Sequence, residues 1–158
     1  MLELFDIADM KDYPDQEYFI EQYFYFIEKL VKQNRPSGEY KNLKIGKYYK
    51  NFIVKDKLLK TNVWFYQRHH IEEISISGAI LQANKEKYEN GLSIILTWEE
   101  HAFVHYLIVC ANTTLPNYGM LMQLDFTTWD QIAKKYCKEY NIKYIENWDQ
   151  RFTGPINI

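Results

Sequence analysis

Residues 92–110, LSIILTWEEHAFVHYLIVC, decide which fold the chain adopts, because they contain nearly all of its longest apolar run. Val, Ile and aromatic residues, which favour strands, dominate both halves of this stretch. Glu99, Glu100 and His101 form a polar break between the halves. The pattern therefore predicts two antiparallel strands, Leu92–Trp98 and Phe103–Cys110, joined by a turn.

Short segments on either side of this stretch also favour strands. They are rich in β-branched and aromatic residues or alternate between apolar and polar ones, and Asn84–Gly91 is a polar connection that ends in an Asn-Gly turn signal. We expect a meander of about five antiparallel strands over Thr61–Phe126. The further predicted strands are Val63–Tyr66, Ile74–Ser77, Ile80–Leu81, Met120–Phe126 and a last short one at Ile142–Ile145.

Two segments outside the meander have the period of amphipathic helices. In Asp15–Asn34 the residues Phe19, Tyr23, Phe26 and Leu30 form one apolar stripe. Trp129–Tyr140 repeats this pattern and follows a Thr-x-x-Gln capping signal. The sequence thus predicts a single α+β domain over residues 1–158, with an N-terminal helix, an antiparallel meander and a C-terminal helix packed on the sheet.

Composition points to an ordinary globular chain. Its 158 residues are 47% hydrophobic and carry a net charge of −2, which favours neither a histone-like nor a highly acidic protein. The acidic N-terminus does not resemble a secretory signal, and the longest apolar run, Ala102–Ala111, is too short to cross a membrane. Cys110 and Cys137 lie in apolar segments, which predicts buried, reduced thiols. We therefore expect a cytoplasmic protein.

The histidines are the main candidates for chemistry. His101 and His105 would chelate a metal if they lay on a helix, but positions four apart on a strand are about 13 Å from each other. Arg68, His69 and His70 form the best candidate for phosphodiester cleavage, although neighbours on a strand point to opposite faces. Because nucleotide-binding, hydrolase and deaminase motifs are also missing, we expect no enzymatic activity, no catalytic residues, no cofactor and no metal.

Charge is distributed unevenly along the chain. Residues 1–34 contain eight acids and three lysines, whereas Lys41–Lys60 contains seven lysines and one acid. Tyr48, Tyr49 and Phe52 are interleaved with these lysines, and such a mixture suits nucleic acid because lysines neutralise phosphates while aromatic rings stack on bases. The alternative function is therefore a nucleic-acid-binding protein or small nuclease that uses Lys41–Lys60 and His69/His70.

A small, tyrosine-rich and charge-polarised α+β domain without motifs resembles the immunity proteins of bacterial polymorphic-toxin and contact-dependent inhibition systems. The resemblance is one of general type and transfers no residue. It implies a cytoplasmic protein-binding domain that neutralises a cognate toxin, often a nuclease, by direct binding. Tyrosines and opposite charges at a contact surface serve that role.

The partner-binding surface is predicted on the polar face of the N-terminal helix. Its acids would steer a basic partner, and its tyrosines would supply contact area that the core does not use. The predicted contact residues are Glu17, Tyr18, Glu21, Tyr25 and Glu28.

Overall fold

Helices and short strands alternate along the chain in this computed structural model, which describes residues 7–8, 11–55, 59 and 62–155. The helices within these residues are α1 (Gln16–Lys32), α2 (Gly78–Gln82), α3 (Lys85–Asn90), α4 (Trp98–Ala111) and α5 (Phe126–Tyr140). The strands are β1 (Ile7–Ala8), β2 (Ser37–Glu39), β3 (Ile53–Val54), β4 (Val63–Trp64), β5 (Tyr66–His70), β6 (Leu92–Thr97) and β7 (Gly154–Pro155). Short 3-10 helices lie at Tyr40–Asn42, Ile45–Lys47, Ile71–Ile74, Gly119–Met122 and Trp148–Arg151.

The main sheet has three antiparallel strands in the order β2-β6-β5. Strand β6 lies in the centre of this sheet. Its consecutive residues Ile94, Ile95 and Leu96 are fully buried, so both faces of the sheet are covered at β6. Strand β5 pairs with it from Tyr66 opposite Thr97 to His70 opposite Ser93, and its other edge carries no strand of the described chain. Strands β1 and β7, and strands β3 and β4, form two small antiparallel pairs.

Helix α4 begins directly after β6, where two strands joined by a turn were predicted. Thr97 accepts a hydrogen bond from the Glu100 backbone, and the Glu100 side chain accepts one from the Thr97 backbone, which forms a capping box. Every residue from Glu100 to Ala111 is buried. The predicted strand Phe103–Cys110 is wrong, because a helix that is apolar on all sides has no amphipathic period to distinguish it from a buried strand.

The two predicted amphipathic helices are confirmed as α1 and α5, and both pack against α4. The stripe Phe19, Tyr23, Phe26 and Leu30 of α1 is buried as predicted. Helix α5 is anchored by the Trp129 indole, which donates a 2.7 Å hydrogen bond to the Ala102 carbonyl of α4. Helix α4 is therefore the common packing partner of the two outer helices.

The α+β class and the single domain with flanking helices are confirmed, but several predicted strands are helical. Ile74–Ser77 is divided between a 3-10 helix and the cap of α2, Ile80–Leu81 lies within α2, and Met120–Phe126 falls in a 3-10 helix and the start of α5. Ile142–Ile145 is irregular, and the predicted connection Asn84–Gly91 is mostly helix α3. Side-chain oxygens of Ser77 and Asn84 cap the first turns of α2 and α3, a local effect that alternation of apolar residues does not reveal.

Both cysteines are buried, as predicted. Burial raises the pKa of the Cys137 thiol to about 11 and that of Cys110 further still, so neither is a ready nucleophile at neutral pH. Among the described residues, no helix combines the length and the apolar character that crossing a bilayer requires.

Replacing Thr97 with Ala removes the acceptor at the start of α4, and we expect the free energy of unfolding to fall by about 1 kcal/mol. Urea denaturation followed by circular dichroism measures this change. Thr127→Ala, an exposed threonine in α5, is the matched control and should change stability by less than about 0.5 kcal/mol. Equal stability of Thr97→Ala and the unmodified protein would contradict the importance of the cap.

Candidate metal centre

Four side chains from separate parts of the chain meet between β5 and α4. His69 lies in β5, Glu73 lies in the 3-10 helix that follows it, and His101 and His105 are one turn apart on α4. They meet because α4 starts at the end of β6 and packs back against β5, the neighbour of β6 in the sheet. We call these four side chains the histidine cluster.

The cluster has the dimensions of a metal site. The ring centroid of His69 lies 5.2 Å from that of His101 and 5.1 Å from that of His105, and the His101 and His105 centroids are 4.9 Å apart. One nitrogen or oxygen from each of the four side chains lies within 4.8 Å of all the others. The structure thus gathers three imidazoles and one carboxylate around one point.

The hydrogen bonds of His69 determine which of its nitrogens faces the cluster. The Tyr23 hydroxyl donates to the Ile71 carbonyl at 2.7 Å, so the 2.7 Å contact with Nε2 of His69 requires Nε2 to donate to the hydroxyl. Nδ1 then carries a lone pair, and it is buried without a hydrogen-bond partner, 3.2 Å from a carboxylate oxygen of Glu73. Two electron-rich atoms therefore face each other in a buried space, an arrangement that a cation between them would stabilise.

His101 is held in the same manner by Gln67. The Gln67 amide nitrogen donates to the Trp64 carbonyl, so its oxygen accepts the 2.6 Å hydrogen bond from Nδ1 of His101. Nε2 of His101 is left with its lone pair free for the cluster. Nε2 of His105 also faces the carboxylate, at 4.0 Å from a Glu73 oxygen.

The three histidines are neutral at physiological pH. Burial lowers the pKa of His69 to about 3 and that of His105 to about 4, and it lowers the pKa of His101 as well. A neutral imidazole offers the lone pair that a metal ion needs, whereas a protonated one repels it. The cluster is therefore in the protonation state of a metal site before any metal binds.

Glycine at position 78 allows the Glu73 carboxylate to occupy its place. A Cβ atom added to Gly78 would overlap one Glu73 carboxylate oxygen. The backbone at Gly78 has no positive φ, so close approach is what requires glycine here.

The cluster opens onto a cleft of about 840 Å³. Glu73, His101 and His105 line one part of its wall, and Tyr40 and Trp64 line another. His69 lies behind them and is fully buried. A metal ion held by the cluster would therefore be reached from the cleft by water or by a substrate.

The structure changes the interpretation of the sequence-predicted histidines. His101 and His105 share one face of a helix, so the strand spacing that argued against a metal is wrong. His69 and His70 do point to opposite sides, as predicted: His69 joins the cluster, while His70 stacks on the Tyr40 ring at 4.3 Å. Glu72 and Glu73 follow the predicted Arg68-His69-His70 candidate in the sequence, but sequence reasoning did not connect Glu73 with His101 and His105, although it follows His69 at the same spacing of four. The expectation that the protein needs no metal rested mainly on the strand spacing of His101 and His105, and this spacing does not occur in the structure.

The predicted partner-binding residues lie on α1, away from the buried stripe. Glu17, Glu21 and Glu28 are exposed. Tyr18 is partly buried, and its hydroxyl accepts a 2.9 Å hydrogen bond from the Lys143 backbone, whereas Tyr25 is 73% exposed. The structure therefore separates the two tyrosines, since Tyr18 has a structural contact and Tyr25 remains available to a partner.

Comparison with protein families, curated proteins and solved structures finds no match for this chain. No activity can therefore be inferred for this chain by analogy with a protein of similar fold. What the protein does has to be argued from the histidine cluster, from the cleft beside it and from its exposed surfaces.

Proposed function

We propose that this protein binds a divalent transition-metal ion, zinc by preference, in the histidine cluster and uses it to hydrolyse a substrate in the adjoining cleft. The observation that carries the proposal is the buried Nδ1 of His69, which lacks a hydrogen-bond partner and faces the Glu73 carboxylate. Buried polar atoms are nearly always paired, so an unpaired one among three other metal-ligating groups indicates a missing cation.

The donor set favours zinc. Three imidazoles are ligands that Zn²⁺ accepts in tetrahedral geometry, with donor atoms roughly 3.4 Å apart, and the fourth position is left to a water molecule beside the carboxylate. The four groups of the cluster lie within 4.8 Å of one another, so modest inward movement of the side chains would bring the three imidazoles around one ion, with the carboxylate next to it. The hydrogen bonds that His69 donates to Tyr23 and that His101 donates to Gln67 resemble the outer contacts that orient metal-bound histidines.

Three neutral histidines also suit a catalytic metal. Catalytic zinc sites use three protein ligands and keep a fourth position for water, whose pKa falls to about 7 on the metal. His69, His101 and His105 supply the three ligands. The Glu73 carboxylate lies on the wall of the cleft among these histidines, where it would accept a proton from a water bound to the metal.

Metal content tests this proposal directly. Protein purified without chelators from zinc-supplemented medium is expected to contain one zinc per chain by mass spectrometry. Since each ligand contributes directly to the site, His101→Gln and His105→Gln should weaken zinc binding at least about 100-fold in competition with a chromophoric chelator. His70→Gln is the matched control, because His70 neighbours His69 but bonds to the Tyr88 carbonyl and not to the cluster.

Two results would overturn the metal centre. One is a folded protein that takes up neither zinc nor manganese, iron(II), cobalt or nickel on addition. The other is a loss of zinc in His70→Gln as large as that in His101→Gln.

The glycine at position 78 provides an independent test. Gly78→Ala should fold, because only the end of a flexible side chain has to move, but the displaced Glu73 carboxylate should lower zinc affinity about tenfold. Gly46→Ala is the control, since a Cβ at Gly46 meets nothing within 4 Å. Isothermal titration with zinc measures both variants, and unchanged affinity in Gly78→Ala would show that Glu73 does not contribute.

A second candidate function is supported by the exposed face of α1. We propose that this face binds a cognate bacterial toxin domain in the cytoplasm, as an immunity protein does. The supporting observation is Tyr25, 73% exposed next to the exposed Phe24 and within the acidic strip Glu17, Glu21 and Glu28. An exposed aromatic residue with a charged rim is typical of a binding hot spot, and the strip favours a basic partner surface.

Tyr25→Ala should weaken binding of such a partner by about 2 kcal/mol or more, because an interface anchor is removed. Glu21→Lys combined with Glu28→Lys should slow association and reduce its dependence on salt. The partner to titrate is the toxin domain encoded by a neighbouring gene, with Tyr48→Ala as the control for an exposed tyrosine elsewhere. Unchanged affinity in all folded variants would place the interface on another surface.

A further inference from the structure

Part of the cleft wall comes from the most basic segment of the described chain, residues 40–55. Tyr40, Ile45 and Asn51 of this segment line the cleft. No acid occurs between residues 41 and 55. The five exposed lysines of this part are Lys41, Lys44, Lys47, Lys50 and Lys55; Lys57 and Lys60 of the predicted stretch lie outside the described residues.

These lysines are available to a ligand. None of the five ammonium groups forms an ion pair with a carboxylate in the described part of the chain. Five positive charges without an ion pair among the described residues, on a segment that contributes to the cleft wall, attract a polyanion, although the protein as a whole carries a net charge of −2.

The same segment and strand β4, which we together call the rim, also present aromatic rings. The side chains of Tyr48, Phe52 and Trp64 are each more than half exposed, and Trp64 lines the cleft. The Phe52 ring is supported from within the fold, since it stacks on Phe65 at 4.7 Å. Rigid, exposed rings next to lysines form the stacking platform that single-stranded nucleic acids use.

Arg68 places a further cation on the cleft wall, one residue before His69 in β5. Its guanidinium lies 3.8 Å above the Tyr40 ring and donates to the Tyr40 carbonyl at 2.7 Å, so its position is fixed. Because β5 is an edge strand, side chains from both of its faces reach the cleft, and this fixed cation and the histidine cluster line the same cavity. A guanidinium in such a position binds a phosphate group.

We infer that the cleft binds a single-stranded nucleic acid and that the metal centre hydrolyses one of its phosphodiester bonds. The cleavage step rests on the proposed metal function, whereas the binding step rests only on the rim and Arg68. The lysines and Arg68 hold the phosphates, and the rim aromatics stack on the bases.

The cleavage is a hydrolysis and needs no further reactant. The oxygen of the metal-activated water forms a bond to phosphorus while Glu73 takes its proton. The bond between phosphorus and one ribose or deoxyribose oxygen breaks, and that oxygen leaves with its electron pair and receives the proton. The products are a phosphomonoester and a free hydroxyl group.

Binding is tested first, with fluorescein-labelled single-stranded RNA and DNA of about 12 nucleotides and fluorescence anisotropy across a salt series. The unmodified protein should bind both, with an affinity that falls as salt rises. Trp64→Ala combined with Tyr48→Ala should weaken binding at least tenfold, because two stacking surfaces are removed. Replacing Lys44, Lys47 and Lys50 with Gln should make the affinity less dependent on salt. The slope of log K against log salt concentration should become less negative by roughly 0.7 for each phosphate that no longer binds a lysine.

A charge-matched control separates the rim from general charge effects. Lys11, Lys32 and Lys138 are exposed lysines on other surfaces, and replacing all three with Gln makes the same change in net charge. This variant should bind the oligonucleotides as the unmodified protein does. Equal weakening in the two lysine variants would overturn the assignment of the rim.

Cleavage is tested with zinc-loaded protein and His101→Gln on the same oligonucleotides, with products separated on denaturing gels. Binding by both proteins with cleavage only by the zinc-loaded one supports the whole inference. Zinc binding without oligonucleotide binding would overturn nucleic acid as the substrate but not the metal centre. Oligonucleotide binding by a protein that takes up no metal would overturn the proposed metal-dependent function but not the binding of nucleic acid at the rim. Polyglutamate that competes as well as the oligonucleotides would overturn nucleic acid as the ligand.

Discussion

The fold depends on the burial of one helix on all sides. Helix α4 receives α1 and α5 on its flanks and lies against the sheet. Because almost every side chain of α4 is buried, each polar group on it needs a partner from another element. Arg35 binds Glu100, Gln67 accepts from His101, and the Tyr106 hydroxyl donates to the Lys143 carbonyl at 2.9 Å. These bonds fix the rotation of α4 and thereby the positions of its two histidines.

The histidine cluster departs from this rule of satisfied polar groups. Three buried imidazoles lie together with a partly buried carboxylate, while Nδ1 of His69 has no hydrogen-bond partner. A core built for stability alone would fill this space with apolar side chains, since burial of ionisable groups is costly. Such local departures from good packing chemistry concentrate at functional sites. The cluster therefore carries the functional argument for this protein.

Helix α1 contributes residues to both proposed functions, on opposite sides of the helix. Its inward Tyr23 accepts the hydrogen bond that orients His69, and its outward Tyr25 is exposed to solvent. Two residues apart on a helix are about 200° apart around the axis, so Tyr23 faces the histidine cluster while Tyr25 faces solvent. A bound partner on α1 would leave the cleft open, because the cleft lies on the side of β5 and is lined by no residue of α1.

The sequence by itself determined the α+β class, helices α1 and α5 and strand β6, because the local pattern of apolar residues indicates each of them, although α5 starts at Phe126 with Asp125 as its cap and not with the predicted cap Thr128. It also singled out the basic segment and the two histidine pairs, whose residue types are visible without coordinates. The tertiary structure decided that residues 98–111 form a fully buried helix, because the apolar residues surround its axis and leave no period to detect; the one local signal for this helix is the Thr97-x-x-Glu100 capping box at its start. It likewise decided that His69 and Glu73 meet His101 and His105, since that meeting depends on the packing of α4 against β5, a long-range contact that no local pattern encodes.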